Sequence, residues 1–480
     1  MKNNRRTFIG KTGLMGLGMA GSGALSGQAP RTAGGNQMDT ASRSKQLEQG
    51  HVQRFNMSGF AAPPLHKVRL AIIGTGNRGP SYVENMKRIE GVEIKALCDI
   101  RPAKVQAAKA RLAGTNHRPD VYTGAEDWKR VCERDDIDLV IITTPFYMHA
   151  EMAVYAMKHG KHAASAIPVA ATIDECWQLV ETAEATRRHC KILENIAYGP
   201  FQLLTLNMAR RGEFGEVVHG ECAYNSSKMA NNFSKTTYWD MWWLKQYATR
   251  RGNIYPTHGL GPVSLVMDIN RGDKFEFLVS IESDDFMMKA RTRELAATDD
   301  FYQPFTGYSY RGNMSVTVIR TIRGRTIVLQ HDATDPTPES YIHGIYGTKG
   351  AARLDPAPPR LALDKHAWVS QEEFARLEER HTAGITRKLF QLAQQLKSGH
   401  GGVDLLESWR LIDCLRNGLP LDMDVYDGVA WSCVVPLSQW SVRNRSNSID
   451  MPDFTAGAWK KNKPNMDINL VNGGNTRVLV

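Results

Sequence analysis

A short apolar run that passes straight into a glycine turn fixes the first half of this chain. Val68-Arg69-Leu70-Ala71-Ile72-Ile73 is rich in β-branched residues, as a strand buried in a parallel sheet requires. Gly74-Thr75-Gly76-Asn77-Arg78-Gly79 follows without a gap, and a helical pattern then places Tyr82, Val83, Met86 and Ile89 on one face. Gly74 permits the tight turn, Gly76 leaves room for a pyrophosphate, and Gly79 lets helix and strand pack closely, with the helix N-terminus facing the phosphates. A second strand, Val92 to Cys98, ends in Asp99, 25 residues past Gly74, where a carboxylate takes the adenosine ribose hydroxyls. Strand, loop, helix, strand and acid in that order predict a bound dinucleotide. Asp99 favours NAD because it repels a 2′-phosphate; Arg101 is the neighbour that would suit NADP.

The alternation continues. Helices are expected over Ala125–Arg134, Ala150–His159 and Ile173–His189, and strands over Ile137–Thr143, His162–Ser165 and Lys191–Leu193. Strand–helix repeats of this length mean a parallel sheet with right-handed crossovers. Loops at the strand carboxyl ends then line the cofactor cleft. The candidate cofactor contacts are Gly74, Gly76, Asn77, Arg78, Gly79, Asp99, Phe146, Tyr147, Met148, His149 and Asn195.

After Asn195 the pattern changes. A helix at Phe201–Arg211 leads to a strand at Glu216–Tyr224. Further strands are expected at Phe275–Ile281, Met314–Ile322, Thr326–Gln330 and Tyr341–Tyr346, with turns such as Arg323-Gly324-Arg325. Helices return at Gln371–Leu377, Ile385–Leu396 and Asp404–Asn417. The reading is an α/β Rossmann dinucleotide-binding domain over 65–195, followed by an α+β substrate domain with a large open, mostly antiparallel sheet over 196–480.

Residues 1–64 read as a signal and linker. Arg5-Arg6 precede a Gly/Leu/Met/Ala stretch that reaches about Leu25, which resembles a twin-arginine export signal and predicts a periplasmic or cell-surface protein. That stretch is too short and glycine-rich to span a membrane well. The polar run from about 27 to Pro64 reads as a linker. The first 50 residues hold +5 of the formal charge of +10, so the rest is too dilute to favour nucleic acid as a partner. Seven cysteines without a C-x-x-C pair predict neither a disulfide framework nor a zinc site, and no metal is expected.

The segment from Gly252 to Pro262, with Tyr255-Pro256-Thr257-His258 at its centre, is the second informative feature. His258 is an imidazole, the side-chain type suited to proton transfer. Tyr224 and Tyr255 offer phenols that act as bases if their ionisation is lowered. Tyr238, Trp239, Trp242, Trp243 and Tyr247 form an aromatic cluster suited equally to packing and to stacking on a sugar.

Over about residues 65–440 the chain resembles the Gfo/Idh/MocA oxidoreductase superfamily, and within it glycoside hydrolase family 109, the NAD-dependent α-N-acetylgalactosaminidases. Gly74–Gly79, Ala96–Pro102, Glu194-Asn195 and the Gly252–Pro262 block carry the resemblance. It implies that NAD takes a hydride from sugar carbon 3, a base removes the carbon-2 proton, the glycosidic oxygen leaves, water adds and the hydride returns. NAD-dependent glycosidases are exceptions to the usual carboxylate pair. The resemblance also implies catalytic roles for Glu194, Tyr224, Tyr255 and His258, and substrate contacts at Tyr224, Trp243, Tyr255, Pro256, Thr257, His258 and Tyr341. Exposed sheets in the superfamily imply a homo-oligomer, and the small-molecule partner is a glycoside or glycan terminus.

Two departures stand out. The superfamily's oxidoreductases carry Glu-Lys-Pro after the fifth strand and the glycosidases Glu-Val-Pro; here it is Ala166-Ile167-Pro168, and the resemblance implies coenzyme contacts at Ala166 and Ile167. Where the glycosidases carry Trp-Arg-Leu, this chain reads Trp242-Trp243-Leu244, which replaces a guanidinium fork with an aromatic face. The alternatives are an NAD(P)-dependent sugar oxidoreductase of the same superfamily and a non-catalytic sugar-binding relative.

Overall fold

The computed structural model describes residues 39–479 except 364, 365, 468, 469 and 471, so the twin-arginine stretch lies outside the described residues. Six strands form a wholly parallel sheet: β1 (Val68–Ile73), β2 (Val92–Cys98), β3 (Asp120–Tyr122), β4 (Leu139–Ile142), β5 (His162–Ser165) and β6 (Cys190–Ile192). Their order is β3-β2-β1-β4-β5-β6. The strand order reverses between β1 and β4, which opens a crevice at the strand carboxyl ends. Leu139, Val140, Ile141 and Ile142 of β4 are all fully buried. Burying each such side chain is worth roughly 1.5–3 kcal/mol.

Eight strands form the second sheet: β7 (Val217–Asn225), β8 (Phe275–Glu282), β9 (Met314–Thr321), β10 (Thr326–Asp332), β11 (His343–Gly347), β12 (Gly350–Arg353), β13 (Arg360–Leu363) and β14 (Ile449–Asp450). Their order is β13-β12-β11-β7-β10-β9-β8-β14, with β7 and β10 parallel and the other pairs antiparallel. Period-two alternation is clear in β9, where Ser315, Thr317, Ile319 and Thr321 are buried and the residues between them are not. On the more open face Ile281 lies opposite Val316 and Val318 lies opposite Val279; Ile281 and Val318 are exposed.

The helix Thr257–Val266 is buried at every residue and packs against β7 and the short 3-10 turn Asn195–Tyr198. Its glycines allow that approach. A Cβ on Gly259 would stand 2.8 Å from the Ala223 backbone, and one on Gly261 would stand 3.1 Å from Glu194 Cγ. The helix carrying His258 can therefore press against β7 and against the end of the first sheet together.

Several elements differ from the sequence reading. The supposed linker holds a helix, Thr40–Gly50, capped by Asp39 and packed on the helices Ile173–Thr186 and Val434–Arg443. Its polar composition hid it, because only Ser44 is fully buried. The helices Val425–Ser432 and Val434–Arg443 were not anticipated either. Val425–Ser432 packs on β6 and on Ile173–Thr186, while the anticipated helix Val403–Asn417 packs on Gly79–Met86. Chain from the far end thus supports the dinucleotide half. Finally, β11 begins at His343, which leaves Tyr341 in the preceding loop.

Candidate active site

A cavity of about 580 Å³ runs along the carboxyl ends of the parallel strands and under the second sheet. Its coenzyme side is made by backbone. Gly74 has φ +92°, and a Cβ there would stand 2.7 Å from the Thr143 backbone. Gly79 does not face the cavity. A Cβ on it would stand 2.1 Å from the Gly74 carbonyl oxygen, so it is the close-packing glycine of the turn. Asp99 lines the cavity, accepts the Thr75 N–H at 2.8 Å and the Arg101 N–H at 3.0 Å, and is paired with the Arg101 guanidinium at 3.3 Å. Arg78 lines the cavity and is clamped by Asp404 at 2.5 Å and 2.9 Å. Burial pushes the Asp404 carboxyl up, but the hydrogen bonds and charges of His400 and Arg78 hold it well below the usual range. Asn195 lines the cavity and donates to the same Asp404 at 2.7 Å.

Gly76, Asn77, Phe146, Tyr147, Met148, Ala166 and Ile167 all line this cavity. His149 borders it but is not free. Its Nδ1 lies 2.8 Å from the Pro168 carbonyl and its Nε2 2.8 Å from the Thr144 carbonyl, and burial holds the ring below its ordinary pKa. A neutral imidazole donates to one of these oxygens. Its place is to tie the end of β4 to the loop after β5.

The opposite wall is a cluster of rings. Tyr224 at the end of β7 stands 5.3 Å from Tyr255, 5.1 Å from His258 and 5.3 Å from Tyr341, centroid to centroid. Tyr255 and His258 are 5.2 Å apart, and all four rings line the cavity. His258 Nδ1 lies 2.7 Å from Glu194 Oε1, which also accepts the Ile196 N–H at 3.1 Å. Glu194 is fully buried behind His258 and does not reach the cavity. It stands behind the imidazole and holds the ring. With Nδ1–H donated to Glu194, Nε2 is the imidazole atom left for proton transfer. Pro256 and Thr257 do not line the cavity either; they start the helix that carries His258.

Burial raises the phenols of Tyr255 and Tyr341 well above the ordinary value, and in Tyr341 the nearby Tyr224 and a hydrogen bond to Glu339 add to the rise. Tyr224 is raised by burial but pulled back by Lys228. His331 stacks against Tyr224 at 6.0 Å and is driven by burial down to about 3, so it stays neutral. Lys228, Glu339 and Asp404 are cavity residues that the sequence reading missed; no local motif marks them.

Residues 237–250 bridge from the second half to the loops of the first. Asn77 Nδ2 donates to the Thr237 carbonyl at 2.8 Å. The Arg101 guanidinium lies 5.8 Å from the Trp239 ring. Phe146 meets Trp242 at 5.7 Å and Trp243 at 5.3 Å, and Arg250 donates to the Ala171 carbonyl at 3.1 Å. One segment thus touches loops after β1, β2, β4 and β5. It is anchored in a second apolar cluster through Met241, Leu244 and Tyr247, and Asp240 and Met241 take left-handed backbone at φ 52° and 47°. Trp243 lines the cavity, stacked on Trp242 at 4.5 Å and edge-on to Tyr255 at 5.4 Å.

Comparison with known proteins agrees with both halves. Residues 198–461 match the family model for the glycosyl hydrolase 109 C-terminal domain. Residues 68–193 match the model for the oxidoreductase family, NAD-binding Rossmann fold. A Bacteroides fragilis protein named alpha-N-acetylgalactosaminidase is 46% identical over 410 residues, covering 84% of this chain and 95% of the relative. A Shewanella pealeana glycosyl hydrolase family 109 protein is 41% identical over 479 residues, covering 97% and 99%. Among solved structures, levoglucosan dehydrogenase in complex with NADH shares the fold with a TM-score of 0.61 at 16% identity, over 81% of this chain and 100% of that one. Scyllo-inositol dehydrogenase from Lactobacillus casei, with bound NAD(H) and scyllo-inositol, does so with a TM-score of 0.56 at 14% identity, over 81% and 100%.

Proposed function

The chain belongs to glycosyl hydrolase family 109, and on that premise we propose that it is an NAD-dependent glycosidase releasing terminal α-linked N-acetylgalactosamine or a related N-acetylhexosamine. The observation that carries this is the shared cavity: the glycine turn and His258, backed by the buried Glu194, meet at the same space.

The groove fits NAD. A Cβ at Gly74 would meet the Thr143 backbone at 2.7 Å, so the turn needs glycine there; Gly76, Arg78 and Asp99 line the groove, where Arg78 is a fixed cation that would suit phosphate and the Asp99 carboxylate would suit ribose hydroxyls. When bound, the nicotinamide supplies reversible hydride acceptance from carbon 3 of the sugar. The chain's residues do the rest. Glu194 fixes the His258 ring through Nδ1, so Nε2 can take a substrate proton and return it. Tyr224, Tyr255 and Tyr341 turn hydroxyl-bearing rings into the same space for the sugar hydroxyls. Trp243 offers a flat face to the sugar. The 237–250 segment closes the groove and limits water.

The test is to incubate the purified protein with an aryl α-N-acetylgalactosaminide and no added NAD. Release of aglycone over many turnovers, with no lasting NADH, supports the reading. Stoichiometric NADH without aglycone would make the protein a sugar oxidoreductase, and tight binding without turnover a sugar-binding relative.

Two further parts of the reading rest on other grounds. Export to the periplasm by the twin-arginine route rests on Arg5-Arg6 and the apolar stretch after them. Pairing of two copies is favoured by the exposed Ile281 and Val318 on the open sheet face, and sedimentation would test it.

A further inference from the structure

Asp404 is a cavity residue that neither the glycine turn nor the Tyr255–His258 block accounts for. It stands in the first turn of the helix Val403–Asn417, 326 residues along the chain from Arg78. Its carboxylate is buried at the coenzyme end of the cavity and gathers donors from three segments. The glycine turn and the helix after it supply Arg78, with Nη1 at 2.5 Å and Nη2 at 2.9 Å, and Ser81 Oγ at 3.0 Å. The loop after β6 supplies Asn195 Nδ2 at 2.7 Å. The loop that leads into its own helix supplies His400 Nδ1 at 3.0 Å. That loop closes tightly on the carboxylate: His400, Gly401 and Gly402 take left-handed backbone at φ 51°, 68° and 101°, and a Cβ on Gly399 would stand 2.6 Å from Asp404 Oδ2.

A carboxylate offers about four lone-pair sites. Five donor atoms already crowd those of Asp404, so it has little left with which to accept from a coenzyme hydroxyl. What it can do is fix its neighbours. Held at both Nη atoms, the Arg78 guanidinium is locked in one plane, its central carbon 5.1 Å from the centroid of the Tyr82 ring. Two of its five N–H groups are used on Asp404, which leaves three for an anion. Asn195, tied through Nδ2, cannot turn its amide freely. Arg78 and Asn195 both line the cavity. One follows β1 and the other β6, with β4 and β5 between those strands in the sheet. Asp404 therefore braces the coenzyme crevice from its centre to its edge.

Resting on the glycosidase reading above, in which the coenzyme recovers its oxidation state in each cycle and need not leave between turnovers, we propose that Asp404 is a positioning residue that sets how long the coenzyme stays bound. It holds Arg78 as a planar, pre-oriented cation for the coenzyme's diphosphate and ties that cation to Asn195. An arginine already fixed by a fork of hydrogen bonds loses little rotamer freedom when an anion binds. Asp404 also brings a negative charge near that anion, which opposes binding. The two effects have opposite signs, and the proposal is that orientation outweighs repulsion.

The experiment loads the full-length protein with NADH, dilutes it into excess NAD and follows the loss of nicotinamide fluorescence. Asp404→Asn should speed release by about 10–100-fold, the worth of a hydrogen bond to a charged group. Arg78→Met should speed it to a similar degree. The double variant should release little faster than the faster single one, because Asp404 acts through Arg78. A residue that merely supported the fold would lower the melting temperature and give effects that multiply. Release that is unchanged or slower in Asp404→Asn overturns the proposal, as do single effects that multiply in the double variant. Should Asp404→Asn fail to fold, Arg78→Lys takes its place, since it keeps the charge and loses the fork; release as slow as in the parent then overturns the proposal. No glycoside enters the measurement. A parent protein that released no aglycone would sink the glycosidase reading, while the release rates would still judge Asp404.

Discussion

The coenzyme groove and the ring cluster share one cavity but are built in opposite ways. The groove is backbone: a left-handed Gly74, a Gly79 pressed on the Gly74 carbonyl, and loops at the ends of all six parallel strands. Its central turn occupies six consecutive residues. The cluster is side chains: Glu194, Tyr224, Lys228, Tyr255, His258, His331 and Tyr341 converge from segments scattered over nearly 150 residues. A groove made of backbone accepts changes in its lining and fails when a Cβ is added at a close approach. The cluster accepts backbone variation at its edges and fails when one functional group is removed. Binding and chemistry should therefore come apart under mutation.

The largest expected effect tests that separation. His258→Ala should lower kcat for aryl glycoside cleavage by about 10²–10⁴-fold, the range for loss of a general acid–base group. Its coenzyme content, read by absorbance of the denatured protein, should not change, because His258 stands on the second-sheet side of the cavity. Glu194→Gln should cost less, about 10–100-fold by our estimate, since an amide oxygen can still accept the Nδ1–H but no charge remains to stabilise the imidazolium. If His258→Ala sheds its coenzyme, the groove and the cluster are one cooperative unit and the contrast drawn here is wrong.

The same contrast explains what the sequence could reveal. The parallel sheet was readable because each strand is a short apolar run followed at once by its own turn, and Val68–Gly79 holds a whole functional unit in consecutive residues. Asp99 was readable because its distance along the chain is set by one helix and one strand. His258, Tyr224 and Tyr255 could be singled out by their chemistry, but their grouping with Tyr341 came only through resemblance, since nothing local to Tyr224 or Tyr341 marks them as partners. Glu194 is expected to be catalytic by resemblance, and the structure places it behind the imidazole, where its Oε1 accepts the Ile196 N–H and lies 2.7 Å from His258 Nδ1. Lys228, Glu339 and Asp404 sit in ordinary polar sequence, and only the juxtaposition of β7, the loop before β11 and the helix Val403–Asn417 gives them a role. The helix Thr40–Gly50 was mistaken for linker because it packs with few apolar residues.

A middle-sized effect probes what supports the groove from beneath. Glu407 on the helix Val403–Asn417 is fully buried and accepts the Tyr82 hydroxyl at 3.0 Å; Tyr82 stands on the helix that leaves the glycine turn. Burial pushes the Glu407 carboxyl up to about 7, against the pull of Lys191 and Arg78. Below about pH 4.5 the group is protonated in both folded and unfolded chains. Between 4.5 and 7 the unfolded chain releases the proton and the folded one keeps it, so stability falls as pH rises, and the fall is complete above 7. The size is of the order of 1–3 kcal/mol. In Glu407→Gln, thermal or urea unfolding should show a flatter decline over this range than the parent protein. Parallel curves would mean that the carboxyl is ionised in the folded state and that Lys191 neutralises it.

The smallest expected effect is the sharpest for the groove, because it concerns a side chain lent to the groove by the other half. Trp239 is half exposed, so its removal should disturb the core little, yet its ring lies 5.8 Å from the Arg101 guanidinium beside Asp99. A cation–π contact at such a site is worth about 0.5–1 kcal/mol. Trp239→Ala should therefore speed release of bound NADH by about 2–5-fold, measured as loss of nicotinamide fluorescence after dilution. Cleavage per loaded enzyme should stay near that of the parent, since Trp239 is remote in its contacts from Tyr224 and His258. Unchanged release would show that the dinucleotide half closes over its coenzyme alone, with the 237–250 segment serving the sugar side of the cavity. Faster release with unchanged chemistry would show that a groove written in consecutive residues is nonetheless shut by a residue that no local motif announces.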